Sequence, residues 1–230
     1  VSKDFTGRQL INYSTLRLMY RNLFVLICIV VAGLNGNAQV QGYTKIVDYA
    51  SFKTQFALAA NKTTTIRSDF TQEKNMSMLS EKIISKGKFF FKKQDKVRME
   101  YLTPFSYLMI INGSKVYIKD GQKENTISTN SNKIFRQVSQ IMLDCVSGSV
   151  LANPDFTIVV YENKSEYLIE MIPASKALKG FFKKILVFAG KTDYNVSKVE
   201  MIEMSGDNTI LNFTNRELNS DIPDAVFTLH

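Results

Sequence analysis

Between Thr64 and Ser128 apolar and polar residues alternate in short runs cut by tight turns, a period of two that strands satisfy and helices do not. Ile66, Phe70 and Gln72 share one parity, and Ile83, Phe89 and Phe91 share another against Lys86, Lys88 and Lys92. Val97, Met99 and Tyr101 then alternate with Arg98 and Glu100. Thr103-Pro104 breaks that run, and Ser106 to Ile111 resumes it. Asn112-Gly113 is the strongest short hairpin signal, and Asp120-Gly121 is a second. The result is an antiparallel meander with short links. The aromatic residues agree, because 16 Phe and 10 Tyr with no Trp suit half-buried pleated surfaces.

Two stretches depart from the period. Tyr43 to Asn61 reads as a helix with a broad apolar stripe that includes Ile46, Val47, Phe52 and Phe56. Asn130 to Val150 reads as an amphipathic helix, with Ile134, Phe135, Val138, Ile141, Met142 and Cys145 at helical spacing. Strands resume from Phe156: 156–162, 166–172, 183–189, 196–204, 209–214 and Ala225 to Leu229. Short strands at this spacing build a barrel or a sandwich.

The N-terminal segment reads as a targeting signal. Arg21 precedes the apolar run Leu23–Ala32, which is too short to span a bilayer comfortably. Gly36 and Ala38 place small residues where a signal peptidase cuts. The expectation is an upstream extension plus a secretory signal peptide over residues 1–38, starting at Met19 and cut after Ala38. A single soluble, exported domain over residues 39–230 follows. A permanent N-terminal anchor is the other reading of the same run. Cleavage would remove Cys28 and leave Cys145 as a lone thiol.

The residue inventory points away from catalysis. His230 is the single histidine and stands last, so Ser-His-Asp and Cys-His arrangements are not expected. The sequence has neither metal-ligand spacing nor a phosphate-binding glycine loop. No catalytic residue, metal or cofactor is therefore expected. The formal charge of +8 is moderately basic. Lys86, Lys88, Lys92, Lys93 and Lys96 form a basic hairpin, read as a solvated strand face and not as a nucleic-acid surface.

About ten strands curled into one sheet enclose more space than side chains fill easily. The inferred inward parity carries Phe70, Phe89, Phe91, Val97, Met99, Tyr101, Met109, Ile111 and Ile118. Flexible thioethers suit a wall that accepts varied apolar guests. The same stripe also fits a plainly packed core. Periodicity alone does not choose between them.

The order of the segments adds a further reading. Ser68-Asp-Phe70-Thr-Gln72, Gly87, Lys96-Val-Arg-Met-Glu-Tyr101, Thr103-Pro104 and Ile111-Asn-Gly113 followed by Val116 to Asp120 resemble, in order and spacing, the outer-membrane lipoprotein carrier (LolA) family. Leu168 to Pro173, Phe182 to Phe188 and Glu203 to Phe213 resemble its second half. The resemblance covers most of residues 43–230. It implies a half-open antiparallel β-barrel with an N-terminal helix and a central lid or plug helix. It implies a periplasmic carrier of a Gram-negative bacterium. Such a carrier takes a lipoprotein from an inner-membrane ABC exporter, shields its acyl chains and delivers it to an outer-membrane acceptor. The protein would be a monomer, not an enzyme, with Ile134, Phe135, Val138, Ile141 and Met142 as plug residues. Family members place an Arg-Pro pair after the glycine strand, and that Arg latches the lid. Here Lys93-Gln94 stands there, so Lys93 is the candidate latch, without a planar fork. A lipid-sensing or regulatory domain of the same fold is the alternative.

Overall fold

The computed structural model describes residues 40–78, 81–93, 95–128 and 133–228. The expected targeting segment, Gln94 and His230 lie outside them. The body from Gly42 onward is a clustered unit. It contains β1 (Thr44–Lys45), α1 (Tyr49–Lys62), β2 (Thr65–Met76), β3 (Glu81–Lys92), β4 (Lys96–Thr103), β5 (Tyr107–Asn112), β6 (Lys115–Asp120) and β7 (Lys123–Ser128). These are followed by α2 (Lys133–Ser147), β8 (Phe156–Glu162), β9 (Glu166–Pro173), α3 (Lys176–Lys179), β10 (Phe182–Gly190), β11 (Val196–Glu203) and β12 (Asn208–Leu218).

The strands form one antiparallel sheet in the order β1-β8-β9-β10-β11-β12-β2-β3-β4-β5-β6-β7. The barrel is half open, because the ends of this order, β1 and β7, do not pair. Twelve strands exceed the ten or so expected. The long hub is β2, which pairs β3 from Thr65↔Lys92 to Met76↔Glu81 and meets β12 on its other side. That seam joins the two runs of hairpins into one surface. Asn112-Gly113 makes its predicted hairpin turn, with Gly113 at φ 58.

Two elements differ from expectation. The N-terminal helix begins at Tyr49, because Asp48 caps it by accepting a hydrogen bond from the Ser51 amide at 2.8 Å. Upstream, Thr44 and Lys45 pair with β8 instead. The stretch read as a strand from Ala225 is a 3₁₀ turn, Asp224–Phe227, and Leu229 lies outside the described residues. Pro223 leads into the turn with no amide to offer a ladder. Arg98 Nη1 then holds the Val226 carbonyl at 3.1 Å, and Asn112 Nδ2 holds that of Phe227 at 3.3 Å. Ile222 and Phe227 bury themselves with Ile110 in a small second cluster on the outer parity of the sheet.

The main core lies on the opposite, inner parity, where Phe52 and Phe56 of α1 bury their rings with the strands. Each such side chain contributes about 1.5–3 kcal/mol. The basic hairpin faces outward and is largely paired. Lys88 meets Asp69, and Lys92 and Lys96 both reach Asp224. Arg98 pairs with Glu100 on its own strand at 3.0 Å. Among the described residues no helix is long and apolar enough to cross a membrane.

Candidate functional site

Cross-strand register explains which inner residues meet open space. Successive pairing aligns Ile66, Phe91, Val97, Ile111 and Val116 in one row across β2 to β6. Phe91, Val97, Ile111 and Val116 are buried at no more than 2% exposure and pack as core, while Ile66 at the β2 end of the row borders open space. The next row runs Ser68, Phe89, Met99, Met109 and Ile118. Ser68, Phe89, Met99 and Met109 line a cavity of about 180 Å³. Beyond them Phe70, Gly87 and Tyr101 form a third row, from which Tyr101 also reaches the cavity.

Ile141, Met142, Cys145 and Val146 of α2 close the space from the other side, and Phe56 and Ala60 of α1 border it. The wall is mainly apolar and carries four thioethers, from Met99, Met109, Met142 and Met201. Flexible sulfur-containing chains repack around guests of different shape. The space is close to the ~150 Å³ in which an engineered apolar cavity accepts benzene. A space of this size has room for a small apolar group.

Of the nine inward residues expected to form a cavity, Phe89, Met99, Tyr101 and Met109 line it. Phe70, Phe91, Val97 and Ile111 are buried in the same core cluster, and Ile118 is half-buried against it. Of the expected plug residues, Ile141 and Met142 line the cavity. The side chains of Ile134, Phe135 and Val138 lie outside the described residues. Lys93 donates to the Asn61 carbonyl at 2.6 Å. That contact latches the sheet to the last turn of α1, not to α2.

The β10–β12 half of the wall was missed in sequence. Phe182, Ile185, Val199, Met201, Leu211 and Phe213 complete the enclosure. Their alternating parity was legible, but nothing in it says that those strands curl around to face β3 and β4. The Phe213 ring meets that of Phe89 edge-on at 5.2 Å between centroids, which fixes the seam.

Polar groups at the wall are few. The Tyr101 hydroxyl donates to Gln72 Oε1 at 2.9 Å. Burial, followed by the neighbouring Tyr107, pushes the Tyr101 phenol up to about 12. Burial, followed by Asp144, pushes the Cys145 thiol up to about 12 as well, so it stays protonated. Nothing in this arrangement pairs a nucleophile with a base. Among the described residues no group of three or more His, Cys, Asp or Glu stands together as metal ligands.

Residues 61–230 match the model of a family described as outer membrane lipoprotein carrier protein LolA. No curated protein sequence matches the chain. Among solved structures, a LolA superfamily protein of Nitrosomonas europaea is 10% identical, with a TM-score of 0.42 over 77% of this chain and 97% of its own. The Pseudomonas aeruginosa MucA/MucB complex contains a chain 11% identical, with a TM-score of 0.46 over 80% of this chain and 62% of that one. The Mycobacterium tuberculosis lipoprotein LppX is 10% identical, with a TM-score of 0.40 over 75% and 96% respectively.

Proposed function

The chain belongs to the outer membrane lipoprotein carrier protein LolA family, and from that premise we propose that it is a periplasmic carrier that shelters acyl chains of lipoproteins or related lipids between the two membranes. In this reading an inner-membrane ABC exporter loads it and an outer-membrane acceptor unloads it. It binds and releases, and turns nothing over.

The observation that carries the reading is the apolar cavity between the sheet and α2. Each buried CH₂ of a guest contributes about 0.8 kcal/mol. A carrier must capture that energy and still let go. A cavity only benzene-sized at rest suits this task if α2 swings outward to admit a longer chain, and closes again when the cargo leaves. Helix α2 joins β7 and β8, which lie near opposite ends of the strand order, and adds no strand to the ladder.

The test is cargo retention. Protein isolated from the periplasm carries bound lipid or lipoprotein, detected by mass spectrometry. Phe89→Glu, which places a charge in the wall, loses it while far-ultraviolet circular dichroism stays the same. Met201→Trp, which fills the space without charge, loses it too. Unchanged cargo in both folded variants sinks the reading.

A further inference from the structure

Two polar side chains reach the cavity wall at one place where a purely hydrocarbon guest has no use for them. Ser68 is 2% exposed, lines the cavity, and its Oγ has no hydrogen-bond partner. A buried hydroxyl left without a partner is disfavoured, and native cores seldom keep one without cause. Arg216 is the second. The β12–β2 register runs regularly to Thr214↔Asp69 and resumes only at Glu217↔Arg67. Ser68 therefore stands directly across from this irregularity, with Arg67 and Asp69 paired on either side of it.

The bulge has a local cause. Asn215 takes a left-handed conformation, φ 52, and its Nδ2 donates to Asp69 at 2.8 Å on the outer side. An extra residue in one strand re-aims the side chain that follows it. Here it turns Arg216 into the cavity wall, among Ile66, Val196 and Leu218. The guanidinium spends one donor on the Val196 carbonyl at 2.9 Å, and its Nη2 faces Asp193 at 3.5 Å. Asp193 is the acid in contact with it, and that side chain is 44% exposed on the solvent side. Three of the five guanidinium N–H groups remain beyond those two contacts.

We propose that Ser68 and Arg216 form an anion-receiving subsite within the cavity, and that its ligand is a single-chain amphiphile ending in a carboxylate, such as a fatty acid. The carboxylate accepts from the guanidinium and the serine hydroxyl. The tail runs from there along Met99 and Met109 toward Tyr101. The wall offers one guanidinium, which suits one anionic head and so one chain. The inference rests on the carrier reading for the cavity being a lipid site, and adds that the site reads the head as well as the tail.

Displacement of the neutral probe N-phenyl-1-naphthylamine at pH 8 tests it. Dodecanoate and dodecanol share a tail and differ in the head. The wild-type protein is expected to bind dodecanoate at least about tenfold more tightly than dodecanol. Arg216→Gln brings that ratio near one and leaves dodecanol within about twofold. Ser68→Ala, which removes a single oxygen, lowers the ratio several-fold, and Arg216→Lys keeps part of it. A wild-type ratio near one, or a ratio unchanged in both Arg216→Gln and Ser68→Ala, overturns the subsite while the carrier reading stands. If neither the probe nor either amphiphile binds the wild-type protein, the carrier reading falls with it.

Discussion

The Phe70 ring lies over Gly87, so that a methyl group added at position 87 would stand 2.7 Å from the ring carbons and 2.1 Å from the Glu100 carbonyl oxygen. Phe70 and Gly87 face each other directly across β2 and β3. The ring takes the volume a side chain would fill and presents its other contact edge-on to Tyr101, at 4.9 Å between centroids. Overpacking of this kind costs about 1–3 kcal/mol, and more where backbone is the obstacle. Gly87→Ala is expected to lose at least about 2 kcal/mol in urea unfolding. Phe70→Leu in the same chain recovers only part of it, because the carbonyl clash stays. A loss below about 0.5 kcal/mol would show that the two residues do not constrain each other.

Gly148 answers a different need. It ends α2 in a left-handed conformation, φ 75, and a Cβ there would meet the Ala60 Cβ at 2.3 Å. The glycine lets the chain turn and lets α1 and the end of α2 touch. Gly148→Ala should destabilise through both causes. Measured against Ala60→Gly alone, which itself costs α1 about 1 kcal/mol, adding Gly148→Ala leaves only the backbone part, about 1–2 kcal/mol. If Gly148→Ala costs as much in the Ala60→Gly background as in the wild type, the close approach of the helices is not what the glycine serves.

The strands were legible because alternation and turn chemistry are local. Val97, Met99 and Tyr101 announce their face, and Asn112-Gly113 announces its turn. What was not legible depends on partners far away. Thr44 and Lys45 look like a helix start until β8 offers them a ladder. Ala225 to Leu229 has strand-like residues, yet Arg98 and Asn112 seize its carbonyls and wind it into a turn. Within the site, parity selected the inner face but not the row. Phe91 and Met99 have the same pattern, and the first is core while the second is wall. Arg216 was invisible because a bulge, not a period, points it inward.

Lys93 now makes a sharper expectation about the latch. Its bond to Asn61 is exposed and goes to α1, so its stabilising effect is small. Lys93→Ala should cost less than about 1 kcal/mol. It should also leave the opening of α2 unchanged within about twofold, as read by thiol labelling of Cys145. A tenfold faster labelling in Lys93→Ala would mean that the lysine restrains the central helix after all.

Cys145 itself is the natural reporter of that opening, because it lines the cavity from α2 and is the free thiol among the described residues. Only the thiolate reacts. Burial and then Asp144 raise its pKa from 9.0 to about 12, so the native thiol is protected twice, by cover and by protonation. Iodoacetamide at pH 8 should label the folded protein at least about a hundredfold more slowly than the urea-unfolded chain. A bound fatty chain should slow it further by packing against the sulfur. The same shift sets a pH dependence. The unfolded thiol loses its proton near 9 while the folded one holds it to about 12. The contribution to stability is therefore complete below pH 9 and declines as pH rises from there toward 12. Replacement by Ala should flatten the decline over that window. If the wild-type protein and Cys145→Ala lose stability in parallel from pH 9 upward, or if native labelling is as fast as unfolded labelling, α2 does not cover the sulfur and the cavity is open to water at rest.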